Sequence, residues 1–294
     1  MNLGALEAQT TVSFDPSLNA DSLLLNGFTA PEPARLRVSS FLDNVRRLAH
    51  SQLFARVEST LNFPMSAGLA SSAAGFAALS LAACAAAGLS LSETALSRLA
   101  RLGSGSACRS VPGGFVEWQI GRGDQDSFAV SIAPQEHWAL VDCVAVVQTE
   151  PKSVSSTEGH LLAVTSPLQA ARVADAPHRL DRCRRAIRTH DFDALAAVTE
   201  LDSNLMHAVM MTSTPPLFYW TAESITLMKK VPVWRAQGIP VFYTVDAGPN
   251  VHLLTQPDYV ETLTKMVNDI PGIQQIIVSP PGGPARLLNA IYRK

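Results

Sequence analysis

A mixed α and β fold is what this 294-residue sequence predicts. Three observations carry the expectation. Short β-branched runs, such as residues 10–14 and 239–245, have the length and composition of strands. Longer segments, residues 34–50, 72–87 and most of 156–211, have the spacing and residue types of helices. Loops rich in Gly and Ser, around residues 62–71 and 103–114, interrupt the two.

Taken in order, residues 10–14 alternate as a strand, and residues 22–25 form a second one ended by Asn26-Gly27, a hairpin dipeptide. Pro31 and Pro33 introduce a helix over 34–50 with Leu36, Phe41, Val45 and Leu48 as its apolar stripe. Arg35, Arg37, Arg46 and Arg47 line the rest of that helix. A strand at 53–59 leads into the first Gly/Ser loop. The helix at 72–87 is so rich in Ala that neighbours can pack close, and Gly88 ends it. A further helix over 92–101 opens on Ser92 as its N-cap.

Strands are expected at 115–120, 127–133 and 140–148. Helices fill 156–211 with breaks at Ser166-Pro167 and His190-Asp191, and Pro215-Pro216 ends the run. A helix over 224–237 should kink at Pro232. Strands at 239–245, 251–254 and 276–278 and a helix over 257–268 complete the chain, before the rigid loop Pro280-Pro-Gly-Gly-Pro284.

Composition narrows the function classes. Lys and Arg number 23 and Asp and Glu 25, a net charge of −2, which gives no electrostatic footprint for nucleic acid. Cys84, Cys108, Cys143 and Cys183 form no CxxC pair and no metal-ligand spacing, as expected of free thiols in a reducing compartment. The most apolar run, 68–91, is mostly Ala with Ser and reads as a buried helix rather than a membrane span. Residues 1–20 show no basic region and no signal-peptide core, so a cytoplasmic protein is expected.

Two loops and one corner carry chemistry. Asn62-Phe-Pro-Met-Ser-Ala-Gly-Leu-Ala-Ser-Ser-Ala-Ala-Gly-Phe76 runs into a helix start. Small residues admit a ligand, and the helix terminus offers N–H groups and the positive end of a dipole, so a phosphate site is expected. There is no Gly-Lys-Ser/Thr, so this is not a Walker A loop. The plainer alternative is a helix N-cap by Ser66 or Ser71. In the second loop, Gly103-Ser-Gly-Ser-Ala-Cys-Arg-Ser-Val-Pro-Gly-Gly114, Arg109 is expected as a buried contact to a carboxylate or phosphate. Asp246-Ala-Gly-Pro-Asn250 ends an apolar strand at a forced turn, where Asp246 is either a reactive carboxylate or the cap of an Asx-turn.

Together these segments resemble the diphosphomevalonate decarboxylases of the GHMP kinase superfamily. Residues 62–73 match the family's ATP-phosphate loop, with Met65-Ser66 where Thr-Ala is usual. Gly103-Ser-Gly-Ser-Ala-Cys-Arg-Ser110 and Gly113-Gly-Phe-Val-Glu-Trp118 match its substrate segment, and Asp246-Ala-Gly-Pro-Asn250 its catalytic-aspartate motif. Weaker matches, among them Asp202-Ser-Asn204 and Met206-His207, keep the same order from Thr10 to Leu254.

The resemblance implies an α+β, GHMP-kinase-like two-lobe fold. Residues 1–153 would form a ribosomal-S5-domain-2-like N-terminal lobe and residues 154–294 a helix-rich C-terminal lobe. It implies the ATP-dependent decarboxylation of mevalonate 5-diphosphate to isopentenyl diphosphate with ATP and Mg2+, in a protein that is commonly a homodimer. In those terms Asp246 resembles the base for the 3-hydroxyl, Arg109 the holder of the substrate carboxylate, and Ser166 a serine near the reacting centre. Arg37, Ser104, Gly105 and Ser106 resemble the substrate-diphosphate contacts. Asn62, Gly68, Leu69, Ala70, Ser71 and Ser72 resemble the ATP-binding set.

Two departures bear on this. The family's first strand, A-x-x-N-I-A-x-x-K-Y-W-G-K, has no counterpart here, and the expectation is a start codon placed too late, with a shortened non-catalytic paralogue as the alternative. The Pro/Gly-rich stretch Val278-Ser-Pro-Pro-Gly-Gly-Pro-Ala285 opens a second alternative, a relative acting on mevalonate 5-phosphate. A kinase without decarboxylation is disfavoured, because Arg109 in its Ser-Ala-Cys-Arg setting would then have no carboxylate to hold.

Overall fold

The structure, a computed structural model, describes residues 1–64, 69–149 and 156–288. The chain divides into two compact units. The first contains Met1–Phe63, Ala70–Pro134 and the returning segment from Gly282. The second contains the described residues of Gln135–Pro281, together with Pro64 and Leu69. The sequence reading divides the lobes between residues 153 and 154. Contacts divide them after Pro134, because the strand that follows pairs wholly within the second unit.

In the first unit β1 (Ala8–Asp15), β2 (Ser22–Leu25) and β3 (Phe28–Thr29) precede α1 (Glu32–Ala49) and β4 (Phe54–Leu61). They form one sheet in the order β1-β4-β2-β3, in which β2 and β4 run parallel with α1 as the crossover. Asn26 and Gly27 both have positive φ, 49° and 83°, as a two-residue hairpin loop requires. Next come α2 (Ser71–Ala86), α3 (Glu93–Gly103), a 3-10 segment over Gly105–Ser110, and the paired strands β5 (Phe115–Trp118) and β6 (Ala129–Ala133). The core is built from Phe41, Leu42 and Val45 of α1, Val57 of β4, Phe76 and Leu79 of α2, and Leu96 and Leu99 of α3. Ser92 caps α3 by accepting the Ala95 N–H, and Gly88 follows α2 at φ 71°, both as the sequence predicts.

Helix α1 departs from the expected stripe. Leu36 is 62% exposed and Leu48 49% exposed, whereas Leu42 and Arg46 are buried beside Phe41 and Val45. Leu36 lies roughly 140° around the helix from Phe41, so it cannot share the buried face. Arg46 turns inward because Asp21 receives it bidentately, with both nitrogens 3.0 Å from the carboxylate oxygens. Asp21 also accepts the Ala55 N–H at 2.7 Å and the Ser39 hydroxyl at 2.5 Å, so the buried pair is fully engaged.

In the second unit β7 (Val141–Val146) precedes α4 (Ser156–Leu162), a 3-10 turn at Ala163–Thr165, and the long helices α5 (Gln169–Thr189) and α6 (Phe192–Met211). Helix α7 (Ala222–Ala236), β8 (Val241–Val245), β9 (Val251–Thr255), a 3-10 turn at Pro257–Tyr259, α8 (Val260–Asn268) and β10 (Gln275–Ser279) follow. The sheet runs β10-β7-β9-β8 with every pairing antiparallel. Cys143, Ala145, Val251, Leu253 and Tyr243 from its strands pack with Leu227, Val231 and Trp234 of α7 and Leu263 and Val267 of α8. Helix α7 continues through Pro232, the position of the expected kink.

None of the four cysteines forms a disulfide among the described residues. Burial raises the Cys84 thiol to about 11, and burial with the neighbouring Asp142 raises Cys143 to about 12, so neither is a nucleophile near neutral pH.

Candidate active site

The first unit brings two of the predicted loops together. Helix α2 begins at Ser71, and its N-cap is Ala70 in the left-handed conformation, φ 52° and ψ 31°, with no side chain capping the terminus. The plainer expectation, an N-cap by Ser66 or Ser71, is therefore replaced: Ser71 is already helical, and Ser66 lies outside the described residues. Gly68 of the predicted ATP-binding set also lies outside them. Leu69 is buried. The Ser72 hydroxyl lies 3.1 Å from that of Ser104, so a serine of the ATP-loop set touches a serine of the substrate set.

Behind Ser104 the substrate segment is a 3-10 helix rather than the open loop expected. Buried Ser97 ties it down, donating to the Cys108 carbonyl at 3.0 Å and accepting the Ala129 N–H at 2.9 Å. Gly105 packs closely on Trp118, since a Cβ there would lie 3.3 Å from the indole. Ser106 is half-buried.

One of the two arginines differs from expectation. Arg109 is exposed, not buried, and its guanidinium stands over the Trp118 ring at 5.7 Å. The aromatic face orients it while leaving its nitrogens open to a ligand. Arg37 directs Nε and Nη2 to the Gly103 carbonyl, at 3.2 and 2.7 Å, and lies 4.8 Å from the Phe76 ring centroid. Its charge thus sits at the C-terminal end of α3, where a cation is stabilising, beside Ser104. Asn62 serves the backbone: its Oδ1 accepts the Glu7 N–H at 2.8 Å and its Nδ2 donates to the Ala5 carbonyl at 2.9 Å.

In the second unit Asp246 is exposed at the end of β8. The loop beyond it is fastened. Ser224 donates to the Pro249 carbonyl at 2.6 Å, and buried Asn250 accepts the N–H groups of Val147 and Gln148 at 2.8 and 3.1 Å. Ser166 is buried; its Oγ lies 2.6 Å from Thr212 Oγ1 and accepts the Leu168 N–H at 3.1 Å. Because Thr212 already donates to the Ala208 carbonyl, Ser166 is the donor to Thr212. Among the described residues no group of three or more His, Cys, Asp or Glu is placed to hold a metal ion.

The pattern of the diphosphomevalonate decarboxylase-like N-terminal domain matches residues 1–129, and that of the mevalonate 5-diphosphate decarboxylase C-terminal domain matches residues 143–279. The chain belongs to the diphosphomevalonate decarboxylase family. The diphosphomevalonate decarboxylase of Ganoderma lucidum is 39% identical over 285 residues, covering 89% of this chain and 71% of its own length. The human one is 38% identical over 276 residues, covering 87% and 68%.

Solved structures agree. The mevalonate diphosphate decarboxylase of Enterococcus faecalis superposes with a TM-score of 0.89 at 37% identity, over 96% of this chain and 87% of that one. That of Staphylococcus aureus gives 0.90 at 35%, over 96% and 86%. A complex of MDDEF with MVAPP, AMPPCP and magnesium gives 0.90 at 38%, over 96% and 87%. The fold is thus the mixed α+β GHMP kinase fold of the diphosphomevalonate decarboxylases. No helix among the described residues is long and apolar enough to cross a membrane.

Within this family frame, sequence motifs located the two loops and the aspartate corner. They assigned no role to the residues that fasten them, Ser97, Ser224, Asn250, Ser203 and His207. Two signals were visible for the last two: they fall within the weaker family matches Asp202-Ser-Asn204 and Met206-His207, and Glu200, Ser203, Asn204 and His207 recur at helical spacing along α6, a helix that is otherwise largely apolar.

Proposed function

We propose that the chain catalyses the ATP-dependent decarboxylation of mevalonate 5-diphosphate to isopentenyl diphosphate, with ADP, phosphate and CO2 as the other products. The observation that carries the assignment of sites is the contact of Ser72 with Ser104, which joins the nucleotide loop to the substrate loop in a member of this family. The solved complex with MVAPP, AMPPCP and magnesium supports the same substrates here.

In this reading Ala70, Ser71 and Ser72, with Gly68 and Leu69 before them, receive the ATP phosphates at the start of α2. Ser104, Gly105 and Ser106 receive the substrate diphosphate. Arg37 lends positive charge from behind Gly103, and Asn62 supports the loop from the backbone. Arg109 forks the carboxylate that leaves as CO2. Asp246 takes the proton of the 3-hydroxyl as its oxygen attacks the γ-phosphorus and the bond to ADP breaks. The C–O bond to the new phosphate and the C–C bond to the carboxylate then cleave, and the electron pair of the C–C bond becomes the alkene. Ser166, already bonded to Thr212 and Leu168, shapes the region near the reacting carbon. Magnesium would be carried on the nucleotide phosphates with few protein ligands, Ser72 among them, and would neutralise charge on the β- and γ-oxygens.

The test is ATP-dependent release of CO2 from mevalonate 5-diphosphate by the parent and by Asp246→Asn. The substitution keeps shape and removes charge. We expect turnover to fall by about a thousandfold or more with nucleotide affinity nearly kept. A variant retaining more than about a tenth of the parent rate rejects Asp246 as the base.

Mevalonate 5-phosphate belongs in the same assay as the competing substrate. The Pro/Gly-rich tail that suggested it has a structural use. Gly282 donates to the Asn2 carbonyl and accepts from the Gly114 N–H, both at 2.8 Å, and Pro284 packs where a Cβ on Gly113 would stand. Release of CO2 from neither compound by the parent favours the non-catalytic alternative. A homodimeric assembly and a cytoplasmic location follow the family expectation as part of this proposal, and light scattering on the purified protein tests the assembly.

A further inference from the structure

Strand β8 lies at one edge of its sheet, so among the described residues one row of its backbone groups has no neighbouring strand. Helix α6 meets part of that edge with side chains. Glu200, Ser203, Asn204 and His207 stand at i, i+3, i+4 and i+7, on one face of the helix. Glu200 Oε1 accepts the Tyr243 N–H at 3.4 Å, and the Asn204 amide exchanges hydrogen bonds with the Tyr243 hydroxyl at 2.9 and 3.1 Å. Farther along, Ser203 Oγ accepts the Val245 N–H at 3.0 Å and donates to the Val245 carbonyl at 3.3 Å. His207 Nε2 donates to that same carbonyl at 3.0 Å.

The doubly received carbonyl belongs to the peptide group that joins Val245 to Asp246. A peptide group is planar, so fixing its oxygen fixes the plane from which the Asp246 backbone departs. His207 is itself held: it is 1% exposed, and its ring lies 4.6 Å from that of Trp220. Burial lowers its pKa, so the ring is neutral at pH 7, and donation to the carbonyl sets the proton on Nε2.

We propose that Ser203 and His207 are positioning residues for Asp246, acting through the Val245–Asp246 peptide. The inference rests on the reading of Asp246 as the base. A misplacement of about 1 Å at such a group costs on the order of a hundredfold in rate. His207→Ala therefore lowers kcat by about tenfold to a hundredfold while KM for ATP and for mevalonate 5-diphosphate stays within about twofold. His207→Gln, whose amide N–H can reach the same carbonyl, recovers most of the loss. Glu200→Ala is the control: it breaks the ion pair with Arg235 at the other end of the same stripe, lowers the melting temperature and leaves kcat alone.

The experiment measures kcat, both KM values and melting temperature for these variants, for Ser203→Ala and for Asp246→Asn. Parent kcat in His207→Ala overturns the inference, as does a kcat loss in Glu200→Ala equal to that of His207→Ala. If His207→Ala does not fold, Ser203→Ala decides: a reduced kcat with unchanged KM supports the inference, and a parent kcat overturns it. A dead Asp246→Asn beside an unimpaired His207→Ala removes this inference alone. An active Asp246→Asn removes the base and the positioning role with it.

Discussion

The hydroxyls of Ser72 and Ser104 lie 3.1 Å apart, although 32 residues separate them. One stands in the first turn of α2 and the other just before the 3-10 segment of the substrate loop. A ligand phosphate that takes the hydrogen bond of one hydroxyl changes the partner of the other. The two predicted subsites are in this way coupled by a single bond.

Ser72→Ala and Ser104→Ala should therefore be non-additive. Each alone lowers kcat/KM, and the double variant loses less than the product of the two, by an interaction energy of about 1 kcal/mol. Steady-state rates with ATP and with mevalonate 5-diphosphate varied in turn measure it. Strict multiplicativity would show that the contact carries no coupling.

Gly103→Ala should be among the most destabilising single changes in the first unit. A Cβ at Gly103 would enter the Phe76 ring, and Arg37 holds the Gly103 carbonyl in place. Overpacking of this kind costs about 1–3 kcal/mol. Chemical denaturation of the parent and the variant reads it directly, and an unchanged midpoint would contradict the packing described here.

Arg109→Lys keeps the charge and loses the planar fork. Since Arg109 is exposed and rests on Trp118, the fold should not notice, and the melting temperature should stay within about 2 °C. The rate should fall by about tenfold or more, because an ammonium cannot grip a carboxylate bidentately. Equal rates would reduce Arg109 to a surface residue.

The pair of His252 and Asp142 gives a pH dependence. His252 Nδ1 is 2.7 Å from Asp142 Oδ2 inside the second unit. Burial opposes the imidazolium, but the charge and hydrogen bond of Asp142, with Asp246 beyond, raise its pKa from 6.5 to about 9. A raised pKa stabilises the fold fully below the ordinary value of about 6.5, and that contribution fades as pH rises through about 9. Melting temperature should accordingly decline from pH 6.5 to 9.5, and His252→Gln should lack that component. A parallel decline in both proteins would exclude His252 as its source.

Much of the fold was legible because its signals are local. The hairpin at Asn26-Gly27, the Ser92 cap and the glycine after α2 depend on neighbours within four residues, and all stand where the sequence puts them. Arg46 was misplaced on the outer face because its partner Asp21 is 25 residues away and comes from another element. Arg109 was expected inside a pocket, since composition suggests a ligand but not which flat surface will carry the side chain. The role of α6 at the edge of β8 was hidden for a related reason. Polar residues at i, i+3, i+4 and i+7 announce a face, and only the sheet order shows that a bare strand edge is opposite.

The segment from Gly282 to Ala285 has a consequence for synthesis. It lies against Asn2, Gly114 and Val111, so the first unit is assembled from stretches of chain that leave the ribosome far apart in time. The second unit, made in between, can settle while the first still lacks a piece. Interrupting translation before Gly282 would therefore leave the nascent stretch from Val111 to Gly114 without its partner strand of chain and open to proteases, whereas release of the full chain would cover it.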